Sequence, residues 1–397
     1  MCIRDRLESV SYALILTALS YFSFQGLEQS IAEYTGINIT LLKIDSLNVI
    51  ACMALIYLVS YYYRILFHWT HFTWKLADRL LIFGINSMTE LVTRELRERE
   101  DPSYEIIGYL VPDPSKEVPN RKILGGYSDI LQLTKQYNIN RIIVSLTDND
   151  TALPINELLN CRINGIHVEE AALLYERVTG KIALEKLEPT YLIFSEGFDQ
   201  YKFTYIFKRI LDVGLALLGL LLSLPILLVT AVLIKLSSKG PVFFKQKRVG
   251  KEGKIFTLIK FRSMYMDAEE KTGPVWASKN DSRVTRVGRL MRKLRIDEIP
   301  QMWNVLRNEM SFVGPRPERP YFVEELKRDI PYYTERLVVK PGITGWAQIN
   351  YAYGSTKDDA LQKLQYDLYY IKNMSIFLDI ITLLRTIKVV IRRQGAV

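Results

Sequence analysis

The chain has 397 residues, 49% hydrophobic, with a formal net charge of +9, which is enough apolar material for membrane segments and more than one globular core. Its three cysteines, Cys2, Cys52 and Cys161, share no paired spacing, which argues against a disulfide framework or a zinc site. Basic residues cluster beside apolar segments, so anionic lipid headgroups and phosphate-bearing ligands are expected as partners, and nucleic acid is not.

The first region, residues 1–76, carries two apolar segments, about 10–24 and 47–67. The second ends in Tyr61-Tyr62-Tyr63-Arg64, the interfacial aromatic belt expected of a spanning helix. The first is short, and Met1-Cys2-Ile3-Arg4-Asp5-Arg6 back-translates to a transposase adapter used in making sequencing libraries. Residues 1–6 are therefore expected to be foreign and the membrane region truncated, with a genuine short N-terminus as the alternative reading. His68 and His71 stand one helical turn apart beside Trp69 and Trp74, a pattern that reads as a membrane boundary rather than a metal site.

Residues 77–200 turn to an α/β pattern. Strands are predicted at Leu80–Phe83, Tyr104–Val111 and Arg141–Leu146, and helices at Thr89–Arg99 and Asp129–Tyr137. This is a Rossmann-like module. After its first strand the chain reads Gly84-Ile-Asn86-Ser-Met88-Thr89, which keeps only the first glycine of a dinucleotide fingerprint. Large side chains at the later positions would obstruct a pyrophosphate, so a regulatory or dimerising role is expected rather than NAD binding.

Residues 201–397 begin with an apolar run, Val213 to Ile234, long enough to cross a bilayer. Pro225 sits mid-run and removes a helical hydrogen bond, while Ser223 can offer a hydroxyl to the freed backbone. Lys202, Lys208 and Arg209 precede the run, and Lys235, Lys239, Lys245, Lys247 and Arg248 follow it. Positive charge on both flanks favours a re-entrant helix-break-helix over about 206–236, entering and leaving on the cytoplasmic face, over a plain spanning helix with a proline kink. Asp212 is expected to pair with Lys208 or Arg209. The stretch Ile376 to Ile391 is too short and too charged to span and reads as an interfacial amphipathic helix or one packed on the core.

Between these segments lies Arg292-Lys-Leu-Arg-Ile-Asp297-Glu298-Ile-Pro300. Adjacent carboxylates diverge on a regular helix, so Asp297 and Glu298 are expected at a break. Pro300 disfavours helical geometry at Ile299 and suits the first turn of a new helix, whose N-terminus favours phosphate. Arg289, Arg292, Arg295 and Arg316 can mask phosphate charge while a divalent cation bridges oxygens. For an isolated Asp-Glu pair the competing reading is a solvated salt-bridge surface.

Several motifs surround the pair. Upstream are Gly240-Pro-Val-Phe-Phe-Lys-Gln-Lys-Arg248-Val-Gly250 and Lys260-Phe-Arg262-Ser263; downstream are Ser311-Phe-Val-Gly314-Pro-Arg316-Pro-Glu318 and Lys340-Pro-Gly-Ile-Thr-Gly345-Trp-Ala-Gln348-Ile-Asn350. Together, over about residues 203–397, these resemble the bacterial sugar transferase family of monotopic phosphoglycosyl transferases. The segment Thr179 to Phe198 looks like the branch found with exosortase-type exopolysaccharide systems.

The resemblance implies an α/β membrane protein: N-terminal transmembrane helices, a Rossmann-like domain, and a mainly helical catalytic domain over 201–397 with a re-entrant helix. It implies transfer of a sugar-1-phosphate from a UDP-sugar to polyprenyl phosphate, releasing UMP, at the cytoplasmic face of a bacterial inner membrane. Asp297 maps onto the nucleophile that forms a covalent phosphosugar, with Glu298 as its partner and magnesium as cofactor. Arg292 and Arg316 match phosphate-contacting positions, and Lys260 and Arg262 are further candidates. Asp297 and Glu318 are candidate magnesium ligands, with Asp267 and Glu269 as others. Membrane lipids are expected partners, and a homodimer is expected by analogy with large members. The rival from another class is a catalytically inactive, membrane-anchored nucleotide-sensing scaffold.

Overall fold

The computed structural model describes residues 77–112, 121–145, 154–186, 202–266, 283–351 and 356–391, with single positions elsewhere. The N-terminal apolar segments, apart from single positions between 58 and 65, lie outside the described residues. So do Cys2, Cys52, His68, His71, Asp267 and Glu269. The chain divides into two compact units, Met1–Leu187 and Glu188–Val397.

In the first unit, β1 (Asp78–Phe83), α1 (Ser87–Glu98), β2 (Tyr104–Leu110), β3 (Ile123–Gly125), α2 (Ile130–Gln136), β4 (Arg141–Val144), α3 (Ile155–Ile163), β5 (His167–Glu170) and α4 (Ala171–Thr179) follow one another. The sheet is parallel in every pairing, with order β3-β2-β1-β4-β5. Leu80, Leu81, Ile82 and Phe83 are all buried, as expected of a central parallel strand covered on both faces. Each such side chain contributes on the order of 2 kcal/mol. The short strands β3 and β5 were not among the predicted elements: β3 has three residues, and β5, His167-Val-Glu-Glu170, holds a single apolar one.

The loop after β1 closes on itself. Gly84 takes φ +81°, and the Asn86 carboxamide oxygen accepts from the amides of Met88 (3.1 Å) and Thr89 (3.0 Å). A side-chain oxygen thus already occupies the first-turn amides of α1 that a phosphate would need.

The second unit opens with α5 (Lys202–Ser237), an apolar helix of 36 residues. It continues through the antiparallel pair β6 (Phe243–Val249) and β7 (Ile255–Phe261), then α6 (Arg286–Lys293), α7 (Gln301–Leu306), β8 (Ser311–Val313) and α8 (Pro320–Asp329). β9 (Gly342–Thr344), parallel to β8, precedes α9 (Trp346–Asn350), α10 (Lys357–Lys372) and α11 (Ile376–Ile391).

Helical structure in α5 runs unbroken through Ser223 and Pro225, so the expected interruption is absent. The Ser223 hydroxyl donates to the Leu220 carbonyl at 3.4 Å, rather than to the Leu221 carbonyl that Pro225 leaves without its helical donor. The helix is nevertheless not straight. Arg209 donates to the carbonyls of Val305 (2.6 Å) and Leu306 (2.9 Å), and neighbouring Asn304 is bonded to Thr257 and Ile259 of β7. Three residues further along, Arg262 donates to the carbonyls of Ser238 (2.8 Å) and Lys239 (2.6 Å) at the other end of α5. A straight helix would hold Arg209 and Ser238 about 44 Å apart. These ties reach that far only if every link is extended and collinear, so α5 bends, and Pro225 near its midpoint is the position at which a hydrogen bond must be lost.

One stripe of α5, comprising Lys208, Asp212, Ala216, Ser223, Thr230 and Ile234, is buried, while Leu221, Leu222, Leu224 and Leu228 are exposed. Asp212 pairs with neither Lys208 nor Arg209, contrary to expectation. Its Oδ1 accepts from the Ser311 hydroxyl (3.0 Å) and the Phe312 amide (2.9 Å) of β8. Lys208 instead meets Asp379 of α11 at 2.7 Å, with the Tyr370 hydroxyl and the Val313 carbonyl completing its shell. The C-terminal helix packs one face inward through Leu378, Asp379, Ile381 and Thr382 and leaves Phe377 and Ile380 exposed.

Two predictions follow from these anchors. Cysteines placed at Lys202 and Lys245 in a variant stripped of native cysteines are expected to react with an impermeant thiol reagent from one and the same side of a membrane; reaction from opposite sides would mean that the bend does not return the chain. Near the other end of the unit, buried Lys372 donates to the Tyr191 hydroxyl at 2.9 Å. Tyr191→Phe is expected to cost about 1 kcal/mol in thermal or denaturant unfolding of the second unit, and no change would remove this contact from its stability.

Candidate active site

Asp297 and Glu298 lie in a single 3-10 turn, Ile296–Glu298, between α6 and α7. Thr285 caps α6, its hydroxyl accepting from the Gly288 amide at 2.9 Å. A Cβ at Gly288 would lie 2.0 Å from the Ser263 carbonyl oxygen, so glycine lets α6 press against that backbone. The same approach brings the Arg292 Nε within 3.0 Å of the Ser263 hydroxyl. The chain then leaves the helix at Arg295, with φ +57°. Ile299 is helical (φ −54°, ψ −41°) despite preceding Pro300, so the break falls upstream of where the proline rule put it. Pro300 begins α7 as expected.

The two carboxylates are both buried but differ in their partners. Glu298 Oε1 accepts from Lys260 Nζ (3.2 Å) and Arg316 Nη2 (3.0 Å), and its Oε2 faces Arg295 Nη1 at 3.4 Å. Burial pushes its pKa up, but Lys260, Arg316 and Arg295 outweigh that and hold it well below the usual carboxylate range. Asp297 has no hydrogen bond or ion pair within contact distance among the described residues. Burial first, and then the Glu298 charge, push its pKa up, against the pull of Lys260, Arg292 and Arg295. The result is one carboxylate committed to cations and one left uncommitted.

The candidate basic residues divide likewise. Lys260 and Arg316 meet at Glu298, and Arg292 acts on Asp297 through its charge. Arg262 is elsewhere: its Nη atoms donate to the Ser238, Lys239 and Ile234 carbonyls and to the Ser238 hydroxyl, closing the end of α5. Ser223 and Pro225 belong to the long helix and reach none of these groups. Glu318 faces Arg248 at 3.6 Å.

Among the described residues no three His, Cys, Asp or Glu side chains gather as a metal site, and the candidates Asp267 and Glu269 lie outside those residues. With Glu298 committed, Asp297 is the carboxylate left for a cation. That donor set fits magnesium, which commonly takes one or two carboxylates and fills its remaining positions with water and substrate phosphate oxygens.

A second layer was missed in the sequence. The guanidinium of Arg336, buried, donates to the Arg316 carbonyl (3.0 Å) and the Tyr333 hydroxyl (2.8 Å) and pairs with Asp367 at 2.7 Å. Burial raises the Asp367 pKa to about 6 against the pull of Arg336. The glycine motifs explain how the Arg316 loop is held. A Cβ at Gly314 would lie 2.4 Å from the Lys340 carbonyl oxygen, and one at Gly342 would lie 2.2 Å from the Gly314 amide nitrogen. Only glycines permit this backbone-on-backbone contact. The glycine spacing was a legible signal of close packing; Arg336 and Asp367 carried none, being far from the pair in sequence.

Residues 203–393 match the family model described as bacterial sugar transferase. The chain is 41% identical over 256 residues to the UDP-N-acetylgalactosamine-undecaprenyl-phosphate N-acetylgalactosaminephosphotransferase of Aeromonas hydrophila, covering 64% of this chain and 60% of that protein. It is 53% identical over 130 residues to a putative undecaprenyl-phosphate N-acetylgalactosaminyl 1-phosphate transferase of Bacillus subtilis, 33% of this chain and 72% of that protein. With the undecaprenyl-phosphate glucose phosphotransferase of Komagataeibacter xylinus it shares 46% identity over 186 residues, 46% of this chain and 35% of that protein. The chain therefore spans less than two thirds of the Aeromonas and Komagataeibacter relatives. It belongs to the bacterial sugar transferase family.

Because the Glu298 pKa is depressed, its ion pairs add stability that is complete above the unfolded carboxylate pKa of about 4.3 and is lost as pH falls through the lower folded value. Glu298→Gln leaves Lys260, Arg295 and Arg316 facing one another. It is expected to cost about 2 kcal/mol at pH 7, with the gap from wild type closing as pH drops below about 4. Denaturant unfolding across that range is the check; a gap independent of pH would mean that Glu298 is not held as an anion.

Proposed function

We propose that this member of the bacterial sugar transferase family moves a sugar-1-phosphate from a UDP-sugar to polyprenyl phosphate, releasing UMP, through a phosphosugar covalently held on Asp297. The observation that carries this reading is the asymmetry of the pair: Glu298 is bonded to Lys260 and Arg316 and faces Arg295, whereas Asp297 is buried and free of hydrogen bonds among the described residues. A desolvated carboxylate with no donor to satisfy it keeps its lone pairs for an electrophile.

Asp297 attacks the sugar-bearing phosphorus, forming an oxygen–phosphorus bond as the bond to the UMP oxygen breaks. The phosphate oxygen of the acceptor lipid then attacks the same phosphorus and restores the carboxylate. Arg292 and Arg316 supply charge near the transferred phosphate, and Lys260 and Glu298 hold that charge in place. Magnesium, held by Asp297 and substrate oxygens with Glu318 as a further candidate, would spread charge over the transferred group. The bend in α5 and the exposed leucines around Pro225 support a re-entrant helix that seats the site beside the lipid acceptor on the cytoplasmic face of the inner membrane. Exopolysaccharide or O-antigen assembly is the setting such a product serves.

The relatives' names make UDP-N-acetylgalactosamine and UDP-glucose the first donors to test. Full-length protein in membranes is incubated with each donor and polyprenyl phosphate, and the released nucleotide is identified. Asp297→Asn is expected to retain the fold, to lower UMP release by at least about a thousandfold and to yield no phosphosugar adduct by mass spectrometry. Near-normal turnover in that variant would remove Asp297 from the chemistry, and UDP instead of UMP would replace the reaction class.

A further inference from the structure

Asn304 is completely buried in α7, two turns from the carboxylate pair in sequence, and it touches neither carboxylate in any bond the structure shows. Its side chain is nonetheless fully used. Oδ1 accepts from the Ile259 amide at 3.1 Å; Nδ2 donates to the Thr257 carbonyl at 2.8 Å and to Glu309 Oε2 at 2.7 Å. Accepting from one residue's amide and donating to the carbonyl two positions earlier is the pattern one residue of a parallel strand makes with its neighbour. A side-chain amide stands in for a strand on the open edge of β7.

That placement bears on the carboxylate pair. β7 is hydrogen-bonded on its other edge to β6, and Lys260 directly follows Ile259. The ammonium of Lys260 lies 3.2 Å from Glu298, whose turn leads directly into α7. Asn304 therefore joins the element that carries Lys260 to the element that follows Glu298, with neither group free to shift along the strand. Glu309 fixes the amide from behind, and the Asn304 carbonyl accepts from the Glu309 amide at 3.0 Å, which ties that side chain to the end of the same helix.

We propose that Asn304 is a positioning residue: acting through β7, it sets Lys260 on Glu298 and so keeps Glu298 committed to its cation partners, leaving Asp297 as the free carboxylate. This rests on the proposed phosphoglycosyl transfer for its consequence in turnover, but not for the geometry. An aspartate at 304 keeps the acceptor for Ile259 but loses both donors and sets a carboxylate against Glu309. An alanine removes all three bonds. In either case β7 loses its bond at the Thr257 carbonyl, and Lys260 gains freedom to leave Glu298.

The test uses the full-length protein and reads Lys260 directly. Wild type, Asn304→Ala, Asn304→Asp and Glu309→Gln are treated briefly with an amine-acetylating reagent, and the extent of modification at Lys260 is measured by mass spectrometry relative to Lys363, another partly buried lysine, in the second unit. Lys260 modification is expected to rise at least about threefold relative to Lys363 in the Asn304 variants and less in Glu309→Gln, with kcat for UMP release falling about tenfold or more and KM for the UDP-sugar within about twofold. A parallel rise at both lysines would show general loosening and overturn the proposal, as would wild-type labelling in all variants. If the Asn304 variants do not fold, Glu309→Gln decides alone: a selective rise at Lys260 supports the tie, and none overturns it. Should the wild type release no UMP from any donor, the proposed reaction fails while the labelling ratio still settles the positioning claim.

Discussion

Glu298 is a buried carboxylate, and a buried charge is tolerated only where its partners recover the several kcal/mol of lost hydration. Its partners come from three places: Lys260 from the end of β7, Arg295 from the left-handed residue after α6, and Arg316 from the loop after β8. Much of the second unit follows from keeping those three in register. Gly288 lets α6 approach the Ser263 backbone, Gly314 and Gly342 let two chains touch without side chains, and Arg336 with Asp367 supports Arg316 through its carbonyl. Disturbing any of these would leave cations facing one another or a carboxylate alone, and both arrangements cost more than the pair itself contributes.

The long helix depends on the same strand. Lys260 near the end of β7 and Arg262 just after it are two positions apart; the first holds Glu298 and the second holds the carbonyls at the end of α5. At the other end Lys208, Arg209 and Asp212 are bonded to α11, to the end of α7 and to β8. An apolar helix with most of its surface exposed therefore begins and ends on the framework that shapes the carboxylate pair. Its exposed leucines lie between those two anchored ends, and one of the routes from the helix to Glu298 runs through Arg262 and Lys260.

What could be read in the sequence is local. The carboxylates at a chain break, a helix starting at Pro300, the glycine clusters and the apolar run all involve residues within a few positions of one another. Strands β1, β2 and β4 were legible because apolar residues cluster in each, as in Leu80–Phe83 and Ile142–Val144. What could not be read depends on pairs far apart in the chain. Asp212 reaches Ser311, Lys208 reaches Asp379, and Arg262 is withdrawn to the end of α5, although its place beside Lys260 made it a phosphate candidate. A basic residue beside a motif has one composition whether it serves a ligand or closes a helix; only the acceptors it meets in the fold distinguish the two. Asn304 is a further case, since a buried asparagine in a short helix gives no sign in sequence of which strand it will complete.

The identity of the second carboxylate also has a physical reason. Glutamate is longer by one methylene, so at position 298 it reaches Lys260 and Arg316 with one oxygen while the other faces Arg295. An aspartate from the same backbone would stop short of them. Asp297, being shorter, stays at the turn with its oxygens unshared. Two adjacent carboxylates in a buried site raise one another's pKa, and without compensation one of them would take up a proton and cease to be a nucleophile. The cations around Glu298 lower its pKa and also pull that of Asp297 down. In the proposed reaction Glu298 is thus the anion that gathers positive charge where a phosphate must approach, and Asp297 can attack because its neighbour, rather than it, is tied to those cations.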